Sequence, residues 1–175
     1  VVDIDELAID RSFKGNHELI HPLQMNLVNP TPAIGWNNSE RKSFWDRCNV
    51  DLIQALAIVH HLVITHDISF DEIAKKLAQH TKYLIIEFID PTDSQAQILF
   101  QNKPHHRFEY KQYNFEISFK NYFKLIDNKK IIGTKRELLF FEKRILNYYN
   151  IANNYGRIAA RVHFILKYSC ALTIS

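Results

Sequence analysis

Tyr83-Leu84-Ile85-Ile86-Glu87-Phe88-Ile89 is a continuous apolar run broken by one carboxylate. Such a run reads as a strand covered on both faces, because a strand with one wet face alternates apolar and polar residues. A second run of this kind, Val-Asp-Leu-Ile-Gln-Ala-Leu-Ala, occupies residues 50–57. Between the two, Ser69-Phe70-Asp71-Glu72 has the spacing of a capping box, in which Ser69 and Glu72 each satisfy a free backbone amide of the other. Ile73, Ala74, Leu77 and Ala78 then share one face of the helix that follows. A helix joining two buried strands is a crossover connection, which leaves the strands parallel. The residues therefore predict an α/β fold.

The alternation extends towards both ends. Val1 to Asp5 reads as a short β-branched strand, with Asp5 capping a helix from Glu6 to Lys14 that Gly15 stops. Pro22 to Leu27 predicts a second strand, with Pro22 at its start. Residues 29–38 are loop by composition and carry Trp36, which either lines a pocket or anchors the loop to the core. A helix is predicted from Asp93 to Gln101, and another from an Asn114 cap to Tyr122. Residues 123–132 and 135–143 then form an antiparallel hairpin across Gly133-Thr134. The expectation is a mostly parallel sheet with a C-terminal antiparallel hairpin in a domain of residues 1–144. Residues 145–175 are helix-compatible, unlike the rest, and form an extension without an assigned role.

Composition excludes several classes. With 46% hydrophobic and 23% charged residues the chain is globular rather than disordered. Its net charge of +3 is scattered, so no nucleic-acid partner is expected. No apolar stretch reaches the roughly 18 residues of a bilayer span, so no membrane partner is expected either. Cys48 and Cys170 stand far apart without metal or disulfide spacing, which favours a reducing, cytoplasmic setting.

Parallel sheets bind ligands outside the carboxyl ends of their strands. That rule selects Asp3, Asn26, residues 55–57 and Glu87. A carboxylate such as Asp3 offers two acceptors in one plane, which suits a ribose diol. The competing reading is an exposed or helix-capping aspartate. Glu87 is either a structural acid bonded to helix amides or a ligand contact. Adjacent histidines on a helix point about 100° apart, so His60 and His61 do not readily share one metal ion. One is expected to face a substrate pocket and the other to pack. His105 and His106 are expected at the surface.

Val-Asp-Ile-Asp at 2–5, Leu-Gln-Met-Asn-Leu-Val-Asn-Pro-Thr-Pro-Ala-Ile-Gly-Trp at 23–36, Asp-Leu-Ile-Gln-Ala-Leu-Ala-Ile-Val-His-His-Leu at 51–62, Leu-Ile-Ile-Glu-Phe at 84–88 and Asp-Ser-Gln-Ala-Gln at 93–97 form a series. In order and spacing the series resembles the class I S-adenosylmethionine-dependent methyltransferases, in a branch similar to the nodulation-associated NoeA type. The resemblance covers residues 1–144 and implies a Rossmann-like sheet. It also implies S-adenosylmethionine as cofactor, with Asp3 holding the ribose and Ile4 against the adenine. Asn26 and the Leu27 backbone would lie at the adenine edge, and Ala55 and Ala57 beside the methionine portion. His60, Trp36 and Glu87 are the candidates for binding the acceptor, a small molecule. Methyl transfer needs alignment and desolvation above all, so no acid–base pair is obligatory.

The sequence also departs from the family. Asn26 stands where an aspartate is usual, which removes a charge but keeps a carbonyl acceptor. Gly15, Gly35, Gly133 and Gly156 form no GxG cluster, so the glycine-rich turn of the family is expected on an N-terminal companion segment or chain. The 175-residue chain alone is accordingly expected to be inactive. The alternative is a methyltransferase-like relic with a binding or regulatory role.

Overall fold

The computed structural model describes residues 1–15 and 18–144, so the expectations for residues 145–175 and Cys170 lie outside the described residues. The elements in chain order are β1 (Val2–Asp3), α1 (Glu6–Lys14), β2 (Leu23–Gln24), α2 (Phe44–Arg47), β3 (Val50–Ala55), α3 (Phe70–His80), β4 (Thr81–Ile89), α4 (Ser94–Asn102), α5 (Gln112–Tyr122), β5 (Phe123–Lys130) and β6 (Arg136–Lys143). Short 3-10 turns at Trp36–Asn38 and Pro104–Phe108 and a π-helical turn at His61–Thr65 complete the list.

The local signals act as their chemistry dictates. The Ser69 hydroxyl accepts the Glu72 amide at 3.2 Å and the Glu72 carboxylate accepts the Ser69 amide at 3.0 Å, closing the capping box of α3. Asp5 caps α1 through the Leu7 amide at 2.9 Å. Asp93 caps α4 through the Gln95 amide at the same distance. Gly133 takes φ 76° in the turn between β5 and β6, where a side chain would be strained.

The fold is α/β, with the Rossmann-like alternation of strand and crossover helix. β1 pairs with β2 in a two-stranded sheet and β3 with β4 in a four-stranded one, and both pairs are parallel. The hairpin is antiparallel as expected, and its second strand is the one that docks. The order is β3-β4-β6-β5, with β6 alongside β4 from Glu142 opposite Tyr83 to Arg136 opposite Ile89. This register brings Arg136 to the carboxyl end of β4.

The core lies on the face of the four-stranded sheet that α3 and α5 cover. Leu84, Ile86 and Phe88 project from β4 into it, with Ile73 and Ala74 from α3 and Phe115 and Phe119 from α5. Phe88 stacks on Tyr110 with ring centroids 5.6 Å apart, and Tyr110 donates its hydroxyl to the Ile89 carbonyl at 3.0 Å. That bond meets the hydrogen-bond demand of a buried phenol, and burial pushes its pKa up.

Two expectations need correction. Asn114 does not cap α5, which starts at Gln112 after Lys111; its side chain instead donates to the Glu109 carbonyl at 2.7 Å. Trp36 does not anchor its loop. Its side chain is 86% exposed, because the loop is tied by the Ile34–Arg41 bridge and by Glu40, which accepts the Trp36 amide at 3.1 Å. Backbone bonds already hold this loop, so the indole has no anchoring to do.

Candidate functional site

The carboxyl ends of β3 and β4 meet in a cluster of polar groups. Glu87, one turn of the pleat before the end of β4, is only 6% exposed. One carboxylate oxygen accepts the Ala57 amide at 2.7 Å, and the other meets the Arg136 guanidinium at 3.2 Å. The same guanidinium approaches Asp93 through Nε at 3.5 Å. Two buried carboxylates thus share one cation, the arrangement that keeps buried charges compensated. The acids come from β4 and from the cap of α4; the arginine comes from the first residue of β6.

Ala57 follows the end of β3 in the left-handed region, with φ 51°. The other described non-glycine residues there are Asn37, Asn38 and Asp67, types that tolerate it, whereas alanine meets a steric cost. The Glu87 bond holds the backbone in this state. Three residues on, His60 stands at the N-cap of the π-helical turn His61–Thr65. Such turns recur at functional sites.

His60 is 3% exposed and its Nδ1 has no hydrogen-bond partner among the described residues. Burial first, then the proximity of His61 and Arg136, lowers its pKa to about 4, with Asp93 pulling the other way. The imidazole is therefore neutral at physiological pH. His61, its ring centroid 4.1 Å away, faces solvent. One ring is packed and the other faces solvent, and the packed ring is the one beside the acids. Among the described residues no three His, Cys, Asp or Glu side chains gather as metal ligands.

A cleft of about 760 Å³ opens beside the cluster, lined by Glu87, Asp93, Ser94, Thr134, Lys135 and Arg136 among others. The turn leading into it is fixed by Asp90, which accepts the Thr92 hydroxyl at 2.6 Å and the Thr92 amide at 2.7 Å. The hydroxyl bond in particular holds the Asp90 carboxyl below its ordinary range.

The other strand pair carries the second group of predicted residues. Asp3 ends β1 and its carboxylate accepts the Asp5 amide at 2.9 Å; Ile4 beside it is exposed. Asn26 lies just beyond β2, and its side-chain oxygen accepts the Val28 amide at 2.9 Å, enclosing Leu27 in a turn. Parallel pairing places Asp3 opposite Gln24, so Asp3 and Asn26 stand at the same edge of their sheet. The structure thus groups Ala55, Ala57, His60 and Glu87 at one strand pair, groups Asp3, Ile4, Asn26 and Leu27 at the other, and leaves Trp36 on its exposed loop. Asp93 entered the sequence reading as the start of a helix and of the Asp-Ser-Gln-Ala-Gln segment at 93–97, with no site role, and Arg136 only as part of a hairpin. The signal that finds Arg136 is the strand order, since β6 rather than β5 lies against β4.

Comparison with known proteins adds four findings. The nodulation protein NoeA of Rhizobium meliloti (strain 1021) is 29% identical over 138 residues, which are 79% of this chain and 29% of that protein. A COX1/OXI3 intron 1 protein of Saccharomyces cerevisiae (strain ATCC 204508 / S288c) is 39% identical over 51 residues, 29% of this chain and 5% of that protein. The type II intron maturase family matches residues 126–175. Among solved structures, the PH0226 protein from Pyrococcus horikoshii OT3 aligns with a TM-score of 0.49 at 13% identity, covering 82% of this chain and 70% of that one. The chain therefore spans less than a third of either curated relative. Over most of its described length it is similar to a nodulation protein, and over its last fifty residues to intron maturases.

Proposed function

We propose that residues 1–144 take part in S-adenosylmethionine-dependent methyl transfer to a small-molecule acceptor. The observation that supports this best is the shared sheet edge of Asp3 and Asn26, at the carboxyl end of a parallel pair. Asp3 gives one oxygen to the Asp5 amide and remains exposed, so a ribose diol can reach its carboxylate. Ile4 is exposed for an adenine face, and the Asn26 carbonyl keeps a second lone pair beside the one given to Val28. These residues fit the cofactor. When bound it supplies an electrophilic methyl group. Ala55 and Ala57, with small side chains, admit its methionine portion, while His60, Glu87 and Trp36 bind the acceptor. No residue here is required as a base, because a good nucleophile needs orientation and a dry site.

A companion strand with a glycine-rich turn completes the site, and the cytoplasm is its compartment. The separate β1–β2 and β3-β4-β6-β5 sheets, each bounded by a strand of a parallel pair, support this partner. Calorimetric titration of S-adenosylmethionine into the chain joined to such a segment tests the reading. Binding that Asp3→Ala weakens at least about tenfold supports it; no binding ends it.

A second reading rests on the maturase match over residues 126–175. Here the chain is a methyltransferase-like relic carrying a maturase-like end, with intron RNA as the ligand of that end. Filter binding of the full chain to a group II intron RNA and to a scrambled RNA separates the readings, since equal retention of the two removes this one.

A further inference from the structure

We propose that Arg136 is a positioning residue of the β3–β4 site: it orients the Glu87 carboxylate so that the second oxygen fixes the Ala57 turn and thereby presents His60. The inference rests on the functional reading above only for what the site is used for; the coupling itself is a property of the described residues.

Three observations carry it. First, Glu87 has two oxygens with two different partners, the Arg136 Nη1 at 3.2 Å and the Ala57 amide at 2.7 Å. A carboxylate is a rigid plane, so whatever holds one oxygen aims the other. Second, Ala57 stands in the left-handed region at φ 51°, a state that alanine leaves unless something external holds it. The Glu87 oxygen is that external hold. Third, Arg136 is itself fixed by a second acid, because its Nε approaches Asp93 at 3.5 Å, and Asp93 is in turn locked by capping α4. The guanidinium fork thus ties the start of β6, the end of β4 and the start of α4 to a single backbone amide after β3. A lysine supplies the charge without the fork.

The position of Arg136 explains why the linkage matters to a ligand. It lines the cleft of about 760 Å³ together with Glu87 and Asp93, while His60, whose buried Nδ1 has no partner among the described residues, follows Ala57 by three residues. A group that binds in the cleft and draws on the guanidinium loosens or tightens the hold on Ala57.

Amide NMR of the full 175-residue chain tests the proposal. In the wild type the Ala57 amide resonates downfield, as a short bond to a carboxylate requires, and exchanges with solvent at least about tenfold slower than its intrinsic rate. Arg136→Met should move the Ala57, Ile58 and His60 amides while leaving Ser69 and Glu72 in place, and Arg136→Lys should return them part of the way. Unmoved Ala57 and His60 amides in Arg136→Met overturn the proposal. Should that variant fail to fold, the wild-type exchange rate decides, since exchange of Ala57 at the intrinsic rate overturns it as well. Addition of S-adenosylhomocysteine is a separate arm. Silence there on the segment-completed chain counts against the methyltransferase reading and leaves the role of Arg136 intact.

Discussion

Glu87 and Ala57, thirty positions apart in sequence, are joined by a 2.7 Å bond from backbone amide to carboxylate. This bond closes the gap between the ends of two parallel strands, where no ladder hydrogen bond is left to do so. Removing the acid leaves the Ala57 amide without this bond and Arg136 with Asp93 alone of its two acids. Glu87→Ala is expected to lose about 2 kcal/mol of stability, the range for a hydrogen bond to a charged group. Urea unfolding checks it, and a loss below about 0.5 kcal/mol would contradict the described geometry.

Strain at Ala57 gives a second prediction of opposite sign. Glycine accepts a positive φ without steric cost, whereas a β-branched residue resists it. Ala57→Gly is expected to hold or raise stability by up to about 1 kcal/mol, and Ala57→Val to lower it by more than about 1 kcal/mol. Thermal unfolding of the pair of variants separates them; equal melting temperatures would show that φ is not positive here.

The buried imidazole of His60 predicts a pH dependence. Its folded pKa, about 4, lies below the ordinary 6.5. Between these values the unfolded chain takes up a proton that the folded chain refuses, so stability is full above about pH 6.5 and falls as the pH drops towards 4. His61, Arg136 and Asp93 also act on this ring, so the comparison is made by substitution. The loss over that window is on the order of 3 kcal/mol. His60→Gln should flatten the window, and urea midpoints measured from pH 4 to pH 7 provide the check.

Ser69→Ala removes the side-chain half of the capping box, the hydroxyl that accepts the Glu72 amide, together with the 2.7 Å bond that this hydroxyl donates to the Glu72 carboxylate, while the backbone amide at position 69 keeps its bond to Glu72. A cost of about 1 kcal/mol is expected. Because α3 covers the β3–β4 pair, hydrogen exchange should quicken first at Ile73 and Ala74. Uniform exchange across the chain would instead indicate a global effect.

How much of this was legible depended on the range of each interaction. The Ser69–Glu72 box, the Asp5 cap, the apolar β4 and the antiparallel hairpin are set by residues within a few positions of one another, and the sequence shows them directly. Glu87 and His60 were legible as chemistry at a strand end, although their partners were not. Arg136 reads as one more solvated cation of a hairpin, because its acids lie 49 and 43 positions upstream. Only the pairing of β6 with β4 makes it a site residue. Trp36 misled for a related reason, since a large aromatic in a long loop suggests anchoring while the loop is already tied by backbone bonds. Asn114 misled because a good capping residue type is equally good at bonding a nearby carbonyl.

The placement of β6 between β4 and β5 sets an order of assembly on the ribosome. The chain is made from its amino terminus, yet the strand that flanks β4 on its second side is the last of the six described to emerge. Until then β4, a nearly continuous apolar run, has an open edge able to pair with a neighbouring chain. A nascent polypeptide halted before Arg136 is therefore both siteless and prone to self-association, and its tendency to clump should vanish once Lys143 has cleared the ribosome.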